Sequence, residues 1–357
     1  MRPGVHLRRS EERGDRIERL VASLSSGGGG RVGLDGVLAD LNRTATVVRV
    51  PGAAAHWGFR WDDEDNRSRR WWPQGITTSA DHDESEVYDG RRVVMTSAYS
   101  KELDGLHKGS RISVVDLSDE RPRYRHVLLV DVVARDDGAV DVRPLKVHAG
   151  GIVWHGEHLH VAGTARGIST FRLDDVVRVG ALGDRDRLGV GQGSFGYRYL
   201  LPVRFTYDAF ADDGHERMRY SFLSLVREPS GPRLVAGEYG RRGRTTRLVD
   251  FEIDPVTSLL AASEEGHAHP LSLSPEGLEG MQGATVVDGR WYVTTSAGPY
   301  LRGSMYVGRP GAFSRRARVL PVGVEDLTYW PSRDELWSLS EYPGRRFVFA
   351  MPRARLR

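Results

Sequence analysis

Four of the chain's 12 histidines fall within "KVHAGGIVWHGEHLHVAG", Lys146 to Gly163, and such a cluster suggests metal binding or acid–base chemistry. His158 and His160 are two apart, a spacing that points both rings to one face of a strand. "HGEHLH" is not the helical zinc-protease motif, because its histidines are wrongly spaced and lie on predicted strands. Cysteine is absent, which excludes disulfides, thiolate nucleophiles, zinc ribbons and cysteine-ligated iron–sulfur clusters. Any catalysis must therefore come from carboxylates, His, Tyr, Ser/Thr, Arg or Lys.

Which of these groups meet depends on the elements that carry them. Beyond about Thr44 the sequence is a succession of short β-rich runs with "DG", "PSG" and "PSRD" turns. One three-strand pattern recurs from Gln74, Gly150, Tyr220, Gln282 and Glu325, and "YRHVLLVDVV" and "RARVLPVG" read as fourth strands. The repeat predicts an all-β, five-bladed β-propeller, with six blades as the alternative if "YRYLLPVRFTYDAF" from Tyr197 forms an extra half-blade. "TATVVRVP" from Thr44 to Pro51 is expected to supply the outer strand of the last blade and close the ring. Residues 1–43 read as an N-terminal helical appendage and linker, and 44–357 as a single propeller domain. The short helix rests on Ile17, Leu20, Val21 and Leu24, which follow an i, i+3, i+4, i+7 pattern before "SSGGGG".

"HAGGIVWHGEHLHVAGTARGISTFRLDDV", "YRHVLLV" and "EDLTYWPSRDELWSLSEYPGRRFVFA" resemble a group of largely uncharacterised propeller-like proteins of high-GC bacteria, often secreted. The resemblance covers most of the chain after about Trp71 and implies the fold, but it carries no activity to particular residues. The N-terminal stretch has no apolar core of signal-peptide length, so a cytoplasmic location is the expectation for this chain.

In a propeller the repeat starts ring the mouth of the central channel. Those positions are Gln74–Gly75, His148–Ala149–Gly150, Arg219–Tyr220, Gln282–Gly283 and Glu325–Asp326. The second-strand ends place Ala98 or Tyr99, Thr164, Glu238, Ser296 and Glu341 near the same volume, and the loops that follow bring in Tyr99, Tyr239, Tyr300, Tyr342, Arg166, Arg241, Arg302 and Arg345. His148 is the candidate general acid or base, and Glu238, Glu325, Asp326 and Glu341 form a candidate carboxylate cluster in which repulsion raises a pKa. Gln74, Gln282, Tyr99, Tyr239, Tyr342, Arg166, Arg219 and Trp72 are the candidate substrate-binding residues. Tyr and Arg around a concave site suit a small organic substrate bearing an anionic group.

The expected function is a small-molecule enzyme of isomerase, cyclase, lyase or hydrolase type, with a place in specialised metabolism. A non-catalytic ligand- or protein-binding propeller is the alternative, and a glycoside hydrolase the third reading. No cofactor is required, although Glu325, Asp326, Glu341 and His148 could together hold a divalent cation. Nucleic acid is not an expected partner, because 51 basic residues face 48 acidic ones without a concentrated stripe. A membrane is not either, since no run approaches the ~18 apolar residues of a span.

Several other stretches could do chemistry. "SADHDESE" from Ser79 lacks the spacing and glycine of a calcium loop, "GVGQGSFG" around Gly189 does not open a helix after a buried strand, and "EEGHAHP" from Glu264 reads as a surface loop. "HWGFRWDDEDNRSRRWW" from His56 to Trp72 interleaves five aromatics with charge, and reads either as a lid over the channel or as packing between blades.

Overall fold

The computed structural model describes residues 4–180 and 195–356, so the glycine-rich run around Gly189 lies for the most part outside the described residues. The strands of the described residues fall into five sheets, whose innermost strands are Trp71–Thr78, Ile152–His155, Phe222–Glu228, Met281–Val287 and Val324–Trp330. Each inner strand packs against the next, and the last returns to the first, which makes the fold an all-β propeller.

Local sequence explains the hairpins. At Asp288–Gly289 both residues have positive φ, 50° and 69°, the geometry of a two-residue hairpin turn between Val287 and Arg290. Adjacent sheets then bury their apolar faces against each other. Met95, Ile112 and Val127 of the first sheet pack in one cluster with Trp154, Leu159 and Phe171 of the second. Each such side chain contributes roughly 1.5–3 kcal/mol on leaving water.

Near the axis the inner strands approach too closely for side chains. A Cβ on Gly151 would lie 2.0 Å from the Leu223 amide nitrogen, and one on Gly283 would lie 2.6 Å from that of Leu327. The recurrent glycine of the repeat thus has a steric cause.

The N-terminal part departs from the expected appendage. Val5–Arg9 is a strand of the second sheet, held between Phe205–Ala211 and His267–Ala268, and helix Gly14–Ser25 buries Ile17, Leu20 and Leu24. The ring is closed by the N-terminal half, but the strand beside Phe347–Pro352 is Trp57–Arg60, with Thr46–Val47 outside it. The extra half-blade is not formed. Tyr199–Pro202 pairs in parallel with Arg123–Ala134 of the first sheet, whereas Phe205–Ala211 pairs with Gly167–Arg172 of the second. Pro202 ends the first of these strands and the chain crosses between sheets at once, which leaves no room for a sixth. Among the described residues no helix is long and apolar enough to cross a membrane.

Candidate active site at the channel mouth

The polar residues at the repeat starts sit where the ladders break. Register shifts interrupt the pairing between Pro73 and Ile76, between Met281 and Gly283, and between Val324 and Leu327. Gln74, Gln282, Glu325 and Asp326 occupy these bulges. A bulge re-aims the side chain of its unpaired residue, and here three sheets use it to turn polar groups toward the axis.

Glu325 is almost wholly buried and accepts a hydrogen bond from Gln282 Nε2 at 3.2 Å. The Glu341 carboxyl is its strongest charged influence. Burial first, and then the charges of Glu341 and Asp326, push its pKa well above the ordinary carboxyl range. Glu341 lies nearer to solvent and accepts from Gln74 Nε2 at 3.4 Å and from the Tyr342 hydroxyl. Burial raises its pKa too, against the opposing pull of Tyr342, Lys101 and Gln74.

Aromatic and cationic groups surround this pair. The Tyr99 ring meets His148 edge-on at 4.5 Å, and burial together with Glu341 and Glu325 pushes its hydroxyl up to about 12. Trp72 stands edge-on to Tyr342 at 5.7 Å and carries the Lys101 ammonium over its face, 3.2 Å from the ring centroid. Arg346 is fully buried beneath, where its Nε donates to the Glu341 carbonyl at 2.7 Å and Nη1 to the Asp65 carbonyl at 2.6 Å. Burial and the neighbouring Arg111 lower its pKa to about 10.

The structure changes the roles of several expected site residues. His148 has solvent-exposed surface yet protein on most sides, as a group on a channel wall does, and that burial lowers its pKa. Among the described residues no carboxylate hydrogen-bonds it, so it borders the pair through Tyr99 rather than forming its base. Asp326 turns away: its Oδ2 accepts from the Ile76 amide at 3.2 Å, and the amides of Leu327 and Ile152 also face it, so it ties three inner strands together. The four proposed cation ligands therefore form no common shell, and among the described residues no three His, Asp or Glu are arranged to hold a metal.

Glu238 is fully buried but occupied. Arg247 donates to both of its oxygens, at 2.8 and 3.0 Å, and the amides of Arg219 and Arg247 add two bonds. Burial opposes its charge, but these donors outweigh burial and hold the pKa below the ordinary value, which suits a structural anchor. Arg219 is bound to the Thr245 carbonyl and hydroxyl. Tyr239 is exposed beside Arg241, Arg166 is exposed without a side-chain hydrogen bond among the described residues, and Tyr300 points to solvent at 87% exposure.

The aromatic run before the first sheet proves to be both packing and wall. Trp61 and Trp71 are buried, Trp72 lines the mouth, and the short helix Asp63–Arg67 between them carries Asp65 and Asn66 into the interior. In the neighbouring acidic stretch Asp81 is spent on the hydroxyls of Thr77 and Thr328 and the Thr78 amide. The other histidines of the 146–163 stretch are bystanders. His155 bonds the Asp81 carbonyl, His158 stacks on His160, and His160 is enclosed between Thr170 and Ser258. Lys101 and Arg346 escaped the sequence reading. Lys101 had one signal, being among only three lysines in an arginine-rich chain.

Fold and site together define a β-propeller with two neighbouring carboxyls, Glu325 and Glu341, whose ionisation burial opposes. No family model matches the sequence. No curated protein matches it either. Among solved structures, the chain is similar to the GH43_1 enzyme from Xanthomonas citri complexed with xylotriose, at 13% identity over 81% of this chain and 89% of that one, with a TM-score of 0.34. A β-xylosidase/α-arabinofuranosidase from a compost microbial metagenome matches at 11% identity over 84% and 94%, with a TM-score of 0.35. The hydrazine synthase of Kuenenia stuttgartiensis matches at 12% identity over 76% and 74%, with a TM-score of 0.32.

Proposed function

We propose that the channel mouth of a five-bladed propeller is the active site of an enzyme that moves protons on a small organic substrate, with Glu325 and Glu341 as the working pair. The observation that carries this reading is the burial of the Glu325 carboxyl beside Glu341, with Gln282 as its side-chain partner and no countercharge paired with it among the described residues. A carboxyl that burial keeps protonated, beside one nearer to solvent, makes the pair an acid and a base at the same pH. Glu341, the outer member, can take a proton from a substrate hydroxyl or a water arriving from the mouth, while the proton held by Glu325 is available for return. Trp72 and Tyr342 offer flat apolar surfaces, and Lys101 a positive charge suited to an anionic group on the substrate. Isomerisation, elimination, cyclisation and hydrolysis all run on this exchange.

A protein that only bound its ligand would gain nothing from burying two carboxyls against each other, since their repulsion opposes folding. Hydrolysis of a glycoside by opposed carboxylates requires a gap of about 5 Å or more between them, and that reading is tested alongside.

Depletion of small molecules from a metabolite extract, followed by mass spectrometry, tests the proposal, with release from 4-nitrophenyl xyloside as a parallel arm for glycosidase action. The wild-type chain is expected to consume at least one compound. Glu341→Gln should slow that turnover by about 10²–10⁴-fold, the usual worth of a general acid or base. Retention of a compound without turnover would favour the binding alternative. If Glu325→Gln and Glu341→Gln both turned over substrate at the wild-type rate, the pair would have no catalytic role.

A further inference from the structure

A second cavity, of about 370 Å³, opens on the flank of the first sheet. Its walls come from residues 42–43, the short helix and turn before the first inner strand, the third and fourth strands of that sheet, and the segment 195–198. Its lining is rich in cations: Arg43, Lys108, Arg111, Arg125 and Arg198 face two carboxylates, Glu64 and Asp65.

Most of these charges are accounted for. Arg43 pairs with Asp62 and Glu64 at 2.7 and 2.9 Å, Arg111 with Asp65 at 2.7 Å, and Arg125 and Arg198 share Asp40 at 3.2 and 3.3 Å. Lys108 is different. Among the described residues it has no carboxylate partner, and its ammonium looks toward Arg70 and Arg111 and over the Phe195 ring at 5.7 Å. Arg111 adds a second, independent sign. It is about nine-tenths buried, its guanidinium lies 4.4 Å from the centre of the Trp71 ring, and its Nε has no hydrogen-bond partner. A cation facing cations and an unsatisfied buried guanidinium N–H are both costly unless an anion enters the cavity.

We infer that this cavity binds a phosphate monoester carried on a flat aromatic group, with Lys108 and Arg111 on the phosphate and the rings of Trp71 and Phe195 against the aromatic part. Arg111 Nη1 and Nη2 are held by the Tyr197 hydroxyl at 3.0 Å and by Asp65 at 2.7 Å, so a compact dianion would meet the point-charge ammonium beside the one free guanidinium N–H, at Nε, and the apolar walls suit a planar substituent. The site is distinct from the carboxylate pair. The two are nevertheless joined through one residue, since Asp65 ion-pairs with Arg111 through its side chain and accepts from Arg346 through its carbonyl.

Isothermal titration of the full chain with phenyl phosphate, inorganic phosphate and phenol tests this. Phenyl phosphate should bind saturably and more tightly than either fragment, and Lys108→Met should weaken it by at least about tenfold while leaving the melting temperature near that of the wild type. Glu341→Gln, at the channel, should leave phenyl phosphate binding unchanged, which separates failure here from failure of the channel reading. The inference is overturned if phenyl phosphate shows no saturable binding up to about 10 mM, if Lys108→Met binds as the wild type does, or if binding is lost with Glu341→Gln instead.

Discussion

His160 offers a direct measurement of what the interior does to a charge. Its ring is fully buried, with Nδ1 3.0 Å from the Thr170 hydroxyl and Nε2 3.3 Å from the Ser258 carbonyl. A carbonyl only accepts, so Nε2 carries the single proton and Nδ1 accepts from Thr170. Burial, reinforced by His158, lowers the pKa from the ordinary 6.5 to about 3. The folded pKa is the depressed one, so as pH falls the unfolded chain protonates first. The stability held by neutral His160 is therefore complete above about pH 6.5 and is lost as the pH drops toward 3. Each pH unit within that window is worth about 1.4 kcal/mol, so going from about pH 7.5 to about pH 4.5 should cost about 3 kcal/mol at this one residue. Urea unfolding of the wild type and of His160→Gln at both pH values isolates the effect. His126, which burial and Arg111 lower to about 4, titrates in both proteins and cancels. The wild type should lose about 3 kcal/mol more than the variant on acidification. A wild-type-minus-variant difference that stayed constant within about 0.5 kcal/mol would refute the assignment of His160 as a buried neutral ring.

Two further substitutions probe the groups around the channel. Glu325→Gln should stabilise the protein at pH 8 by about 1–2 kcal/mol, read as a rise of roughly 1–3 °C in melting temperature, because it removes a carboxyl that folding keeps from ionising. A raised folded pKa means that the unfolded chain loses its proton first as pH rises above the ordinary carboxyl range. The advantage of the variant should accordingly shrink toward pH 4, and a gain that is independent of pH would contradict the sign. Asp65→Asn should cost about 3–5 kcal/mol in urea unfolding, since it leaves buried Arg111 without its countercharge. A loss below about 1 kcal/mol would mean that Asp65 does not hold the segment before the first sheet in place.

The sequence disclosed the propeller through its repeat. Alternating apolar runs and "DG" turns depend on neighbouring residues only, and so does the glycine that lets inner strands meet at Gly151 and Gly283. Outer strands are a different matter. Val5–Arg9 finds its partners about 200 and 260 residues away, at Phe205–Ala211 and His267–Ala268, and nothing in "VHLRR" names them. The site divides in the same way. Gln74, Gln282 and Glu325 were legible because equivalent positions of successive repeats must converge on the axis. Glu238 occupies an equivalent position, but position alone does not show its pairing: Arg247, just before the third strand, meets its carboxylate, whereas Arg346, at the same place in the last repeat, meets the Glu341 carbonyl instead. Arg346 was overlooked for the same reason. A fully buried arginine shows its importance only once the carbonyls of Glu341 and Asp65 are seen to face it.

These cases give a physical rule for separating carboxylates that hold this fold from those set against it. Glu238 and Asp65 are buried with arginines that meet their oxygens, and for both the donors overcome burial and keep the carboxylate ionised. Asp326 lies between the two cases: the Ile76 amide donates to its Oδ2, but burial outweighs its backbone donors and raises its pKa well above the ordinary carboxyl range. Glu325 is buried as deeply, yet its side-chain partner is a glutamine, and Arg346 directs its hydrogen bonds to carbonyls instead of neutralising the pair. A buried carboxyl left without a countercharge forgoes the stabilisation an arginine gives Glu238, and under the function proposed above it is the group kept able to give and take a proton.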